Sequence, residues 1–370
     1  MWDWGTYFLF VFVVLISFIF LRKYDKERGS NIYWLVIGLI PTYMLMVLRG
    51  RTVGIDLDAY EEHILDVPYI SFSDMPILLS EPISEFIYWL SYILGGLRSF
   101  IFITSTLHYL FLFISFKELH KRKIEVGVFF IFYYAVVVTR SYNIVLNCLA
   151  ITCSLCAYVN LLSETKQSKM KYWFFSIVAL CIHNTALINI PIYFICKPIK
   201  NNIKKSILFR MLLMVLVTLF CVTILTTYID TFTDLSSGQY SKYESLGKAG
   251  WGIILSKLPF ILLVLCFRKQ MQLDTHSIFM PFLLLLIFDI IFAQVRYVYP
   301  GIERISMYTN ISSLILINLL LFTLYKKIGN VILLLFVLWG CGSLTYWLYL
   351  YNVVGGDGQG VGLMPYHLWS

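Results

Sequence analysis

Charge is what this chain has least of. Only 14% of its residues are Asp, Glu, Lys or Arg, against about 25% in a soluble domain. No polar stretch reaches about 60 residues, so a separate soluble domain is excluded and one integral membrane domain, residues 1–370, is expected. No HxxxH or HExxH spacing occurs, and no Asp-x-Asp beyond Asp56-Leu-Asp58. That pair could hold a divalent ion with a phosphate, but arginines can do the job without metal, and no metal or other cofactor is expected. There are eight cysteines, all within or at the ends of apolar runs, which argues against a disulfide framework. Cys153-Ser-Leu-Cys156 has redox spacing but lies inside one of those runs. Solenoid repeats are absent. Residues 1–21 lack a basic leader region and a small-residue cleavage site, and their cations follow the apolar run. They are expected to be a first span with its N-terminus outside.

Grease is what remains. Hydrophobic residues make up 59% of the chain. Apolar runs of roughly 18–22 residues recur from end to end, each long enough to cross a bilayer core of about 30 Å as a helix. The expected class is all-α: a polytopic membrane protein of about ten spans. The spans read as 4–21, 31–48, 99–116, 124–139, 142–162, 206–228, 251–267, 277–294, 304–325 and 329–350. Basic loops at 22–28, 117–123, 163–171, 197–205, 268–269 and 326–327 are assigned to the cytoplasm by the positive-inside rule. The net charge of +8 therefore reflects loops that orient spans, not a nucleic-acid surface. Two segments fit no simple crossing. Residues 83–97 read as an outer interfacial or re-entrant helix, and 172–196 as a re-entrant hairpin broken near His183. This leaves outer loops 49–98 and 229–250 and an outer tail, 351–370, whose glycine-rich part has no strand leading into it.

Against that background residues 49–63 stand out, with Arg49, Arg51, Asp56, Asp58, Glu61, Glu62 and His63 together at the end of a span. On the outer side of this topology the cations are mostly arginine, and an arginine fork binds phosphate bidentately. Arg49, Arg51, Arg140, Arg296 and Arg304 are thus candidates for holding an anionic head group, most naturally a diphosphate. Asp56 could share that role. Asn143 and Asn147 continue from Arg140 at i, i+3 and i+7, one stripe of a helix, and Tyr308 follows Arg304 at i, i+4. Asp289 and Arg296 could simply pair. Many of the 21 acids fall between Asp56 and Glu85. A carboxylate at an apolar boundary can act as general base. Glu81, which precedes Pro82 at a helix start, and Asp58, near the arginines, are the candidates. His183 at a helix break is the third, and the choice among them stays open.

The order of these blocks resembles a known group, the bacterial polysaccharide polymerases of the Wzy type, in particular the EpsG-like branch. Arg49 to Tyr60 (RGRTVGIDLDAY) resembles its Arg-x-x-x-Gly-x-Asp-x-x-x-Tyr block after the second span. Glu81-Pro82, His183-Asn-Thr-Ala-Leu, Arg304-x-x-x-Tyr308 and Met364-Pro-Tyr366 resemble further blocks. Asn143 to Ala150 stands where the family has an Asn/Arg-Gln stretch, with the Arg-Gln missing and Arg140 earlier. The resemblance implies a GT-C-like membrane glycosyltransferase of the bacterial inner membrane, with its site facing outward. It would join undecaprenyl-diphosphate-linked repeats into O-antigen, capsule or exopolysaccharide. Membrane lipids, a chain-length regulator and a flippase of the same pathway are the implied partners. A lipid-linked oligosaccharide flippase and an O-antigen ligase are the alternatives. The first predicts an internal repeat, whereas the second shares the donor chemistry.

Overall fold

The computed structural model describes residues 3–27, 29, 31–67, 81–122, 124–161, 165–196, 208–220, 252–295, 301–349, 363–364 and 366–368. Every regular element among them is helical, as expected. In chain order these are α1 (Trp4–Lys26), α2 (Ile32–Leu48), α3 (Leu57–Asp66), α4 (Pro82–Leu94) and α5 (Leu97–Lys121). Then come α6 (Val126–Tyr133), a π-helical turn (Tyr134–Val138), α7 (Thr139–Ser141), α8 (Val145–Leu161) and α9 (Lys166–Ile182). A 3-10 turn (Asn184–Ile188) leads to α10 (Asn189–Cys196). The chain ends with α11 (Leu208–Phe220), α12 (Gly252–Val295), α13 (Gly301–Ile328) and α14 (Asn330–Tyr349).

The polarity of the helices is inside out. α1 exposes Trp4, Phe8, Phe12 and Ile19 while burying Thr6 and Ser17; α5 exposes Phe102 and Leu110 while burying Thr104, Ser105, His108 and Ser115. A soluble helix does the reverse, because water solvates its polar face. In lipid the small polar groups turn inward and hydrogen-bond within the protein. Thr152 does so here, its hydroxyl 3.1 Å from His108 Nδ1 and 2.6 Å from the Tyr133 hydroxyl. Among the described residues, four helices (Trp4–Lys26, Leu97–Lys121, Arg304–Ile328 and Asn330–Tyr349) are long and apolar enough to cross a membrane. The expected spans at 31–48, 124–139 and 142–162 are apolar helices of 10–17 residues, at the short limit for a crossing.

The chain divides into two compact units. Unit 1 comprises Met1–Asn160, Lys169–Ala186 and Leu324–Ser370; unit 2 comprises Leu161–Ser168 and Leu187–Thr323. Unit 1 has two chemically distinct ends. At one, the Asp25 carboxylate accepts the N–H groups of Val126 (3.1 Å) and Gly127 (3.0 Å), which start α6 and have no helical partner. His120 Nδ1 lies 3.2 Å from the same carboxylate and Arg22 pairs with Glu125. The expected basic loops after α1 and α5 therefore meet. The other end gathers the start of α1, the end of α2 and the start of α5. Asp3 caps α1 there by accepting Thr6 N–H at 2.8 Å.

Three expectations change. Spans 251–267 and 277–294 are one uninterrupted 44-residue helix, α12, through Arg268-Lys269. Residues 266–276 contain no Gly or Pro, and Arg, Lys, Gln, Met and Leu are strong helix formers. Charge marked a loop where propensity continues the helix. Second, the break at His183 is present, but α9 runs antiparallel along α8 before reaching it. Tyr158 stacks on Tyr172, Cys153 donates to Phe175 O at 3.3 Å, and Thr185 donates to Asn147 at 2.9 Å. The break thus lies at the end of the helix pair, not midway along it. Third, residues 57–66 form a helix where loop was expected; Leu57 and Ile64 give it one buried face.

Candidate functional site

The end of unit 1 that holds the start of α1 is built on loose helix termini. The last carbonyls of α2 have no helical partner. Val47 O accepts from Arg98 Nη1 at 2.9 Å and Leu45 O accepts from the Tyr366 hydroxyl. The chain then turns through 49–56 against the turn at 142–144. Gly54, at φ +116°, has space for no side chain: a Cβ would sit 2.1 Å from Tyr142 O. Asp56 N–H donates to Asn143 Oδ1 at 2.9 Å.

Arg49 is wholly buried in this turn. Its Nη1 donates to Tyr142 O at 2.8 Å and its guanidinium lies 5.2 Å from the centre of the Tyr142 ring. Nε and Nη2, the two donors of one edge of the fork, are buried without a hydrogen-bond partner among the described residues. Burial pulls the guanidinium down to about 10, so it remains a cation at neutral pH. A buried charge met only by carbonyls and rings is expensive. Its open edge has the spacing that a carboxylate or phosphate fills bidentately.

A second cluster joins α4 to the break after α9. Ser84 Oγ donates to Ile182 O at 2.5 Å, and Glu81 Oε1 accepts Asn184 N–H at 2.9 Å, so side chains at the start of α4 satisfy backbone groups at the break after α9. This brings Glu81 Oε1 to 3.6 Å from His183 Nδ1, with both side chains mostly buried. Thr185 Oγ1 lies 2.9 Å from Nδ1 and donates its own hydrogen to Asn147 Oδ1 at 2.9 Å. Thr185 N–H points at the same nitrogen from 3.3 Å. These contacts ask for opposite tautomers. The nearby carboxylate and the shorter hydroxyl contact favour hydrogen on Nδ1, which puts the lone pair on Nε2.

The sequence candidates therefore separate. Glu81, His183 and Asn147 come together, as do Arg49 and Asp56 with the 142–144 turn. Arg51 is 59% exposed and pairs with Glu61 and, at 3.8 Å, with Asp58, which is 78% exposed. Asp58 is a solvated partner of Arg51. Arg140 is buried with its guanidinium 4.5 Å from the centre of the Trp347 ring. The expected stripe of Arg140, Asn143 and Asn147 is not on one helix. α7 ends at Ser141, Asn143 lies in a turn, and α8 starts at Val145. Asn is a favoured turn residue because its side chain bonds to nearby backbone.

In unit 2, Tyr308 is wholly buried and Arg304 half-buried on α13. Asp289 is buried and accepts from Thr309 Oγ1 at 2.9 Å. Arg296 lies outside the described residues, as do loop 229–250 and most of the 351–370 tail.

Three residues escaped the sequence reading. Arg98 was visible only as one more cation, Thr185 as a neighbour of His183, and Tyr366 as part of Met-Pro-Tyr. Their roles depend on partners far away in the chain.

No curated protein and no solved structure matches the chain. A family model, the EpsG family, matches residues 31–368, which include both clusters and Arg304. The chain belongs to the EpsG family, a family of Wzy-type polymerases, and is a membrane protein of polysaccharide-polymerase type.

Proposed function

We propose that the protein joins undecaprenyl-diphosphate-linked oligosaccharide repeats into O-antigen, capsule or exopolysaccharide on the outer side of the bacterial inner membrane. The observation that carries this reading is Arg49: a buried cation, anchored through Nη1, with one whole edge of its fork unpartnered among the described residues. That edge suits a diphosphate.

The acceptor hydroxyl oxygen bonds to the anomeric carbon of the donor as the bond from that carbon to the diphosphate oxygen breaks. The electron pair leaves with undecaprenyl diphosphate, and the hydroxyl proton passes to His183 Nε2. Glu81 holds the imidazole through Nδ1 and stabilises the imidazolium that forms, with Thr185 and Asn147 as positioning residues. Arg49 meets charge developing on the departing diphosphate, in a buried setting where such a contact is strong. Arg51 and Arg98 are the more exposed cations from which the head group would be passed inward. Arg140, Asp56 and Asn143 complete the proposed substrate contacts within unit 1; Arg296, Arg304 and Tyr308 are proposed as further substrate-binding residues from their sequence pattern alone. Arginines neutralise the diphosphate without a metal ion, so no cofactor enters the mechanism.

Deletion of the gene tests this reading. Surface glycans should lose their polymer ladder while a single repeat remains attached. An unchanged ladder would refute the polymerase, and loss of all repeats from the surface would favour a flippase.

A further inference from the structure

Residues 363–364 and 366–368, near the end of the chain, lie against the Arg49 turn. Leu363 and Met364 are buried. Leu368 forms an isolated antiparallel bridge with Arg49, and Gly50 N–H donates to His367 O at 2.6 Å. The approach is close enough that a Cβ on Gly50 would lie 3.0 Å from that carbonyl. Tyr366 makes three separate attachments. Its hydroxyl donates to Leu45 O in the last turn of α2, and its N–H donates to Thr6 Oγ1 at 2.8 Å. Its ring meets Phe10 edge-on, with 5.8 Å between centres and an angle of 87°. Phe10 in turn touches Tyr142, at 5.7 Å and 68°. Tyr142 carries the carbonyl that anchors Arg49. Burial raises the Tyr366 phenol above its ordinary value, so it stays protonated and keeps donating.

Nothing in the local sequence of 363–368 demands this path. A short segment without regular structure is held by α1, by the end of α2 and by the backbone of 49–50 at once. Loosening it frees both ends of the Arg49 geometry: the backbone that starts the side chain, and the Phe10–Tyr142 contact behind its anchor.

We propose that residues 363–364 and 366–368 form a working wall of the anion site and that Tyr366 is a positioning residue, which fixes Arg49 so that its Nε–Nη2 edge is held ready for a diphosphate group. This rests on the reading of Arg49 given above. It adds a determinant that touches neither substrate nor the reacting atoms.

The test uses purified full-length protein, inorganic diphosphate as probe, and thermal midpoints measured alongside. Arg49→Ala should lose diphosphate binding. Tyr366→Phe removes only the hydroxyl bond to Leu45 and should weaken binding roughly five-fold, the size of one neutral hydrogen bond. Gly50→Ala disturbs the same wall through the His367 carbonyl and should also weaken binding, with the midpoint nearly kept. If Arg49→Ala binds diphosphate like the parent, the anion-site reading itself fails. If Arg49→Ala loses binding while Tyr366→Phe and Gly50→Ala match the parent, the positioning role alone is overturned. Weakening no greater than the unfolded fraction accounts for would overturn it as well.

Discussion

Glu81 Oε1 lies 3.6 Å from Nδ1 of His183, and the same oxygen accepts the N–H of Asn184. Two of the three groups that competed in the sequence for the role of base are therefore neighbours. A carboxylate behind an imidazole sets the tautomer and stabilises the cation formed on proton transfer.

This relationship predicts non-additive losses. His183→Ala should lower polymerisation by roughly 10²–10⁴-fold, the usual size of a general-base contribution. Glu81→Gln should cost less, because the imidazole remains. The double variant should be no worse than His183→Ala alone. Independent, multiplying losses in a reconstituted assay would show that the two do not act together.

The arginines should not behave alike. Arg49→Lys keeps a charge but cannot present a planar fork, so the donor's kcat/KM should fall by about ten-fold or more. Arg51→Ala should lose less, because Arg51 is exposed and already shared between Asp58 and Glu61. Equal losses from both would contradict the assignment of the buried fork.

Gly54→Ala tests the turn. A methyl group there would meet Tyr142 O at 2.1 Å, in a backbone conformation that L residues rarely adopt. The substitution should cost about 2 kcal/mol or more, read as a lower thermal midpoint in detergent. An unchanged midpoint would mean that the 49–56 and 142–144 turns do not pack as described.

Orientation is open to direct labelling. Glu62 and Lys121 are both exposed, on α3 and at the end of α5. In a cysteine-free background, a cysteine at 62 should react with an impermeant thiol reagent from outside and one at 121 should not. The opposite pattern would put the Arg49 cluster on the cytoplasmic side.

What the sequence shows here is mostly local. Apolar run length located the long helices of unit 1 but not α3, and the polar centre of an apolar stretch flanked by lysines located the break at His183. The Asp56–Asn143 bond and the approach of Tyr366 to Leu45 join residues far apart, and no periodicity records them. α12 was misjudged for another reason. Arg268-Lys269 satisfies two rules at once, being basic like a cytoplasmic loop and also a good helix former, and the helix wins. The supposed 140–147 stripe failed because a period alone cannot see the turn at 142–144.

Reconstituted polymerisation is the most direct test of the whole account. Full-length protein in proteoliposomes, supplied only with undecaprenyl-diphosphate-linked repeats, should make a ladder of products and release one undecaprenyl diphosphate for each bond formed. Arg49→Ala and His183→Ala proteins should leave the single repeats intact. A full ladder from both variants, or no ladder from the parent protein, would contradict it.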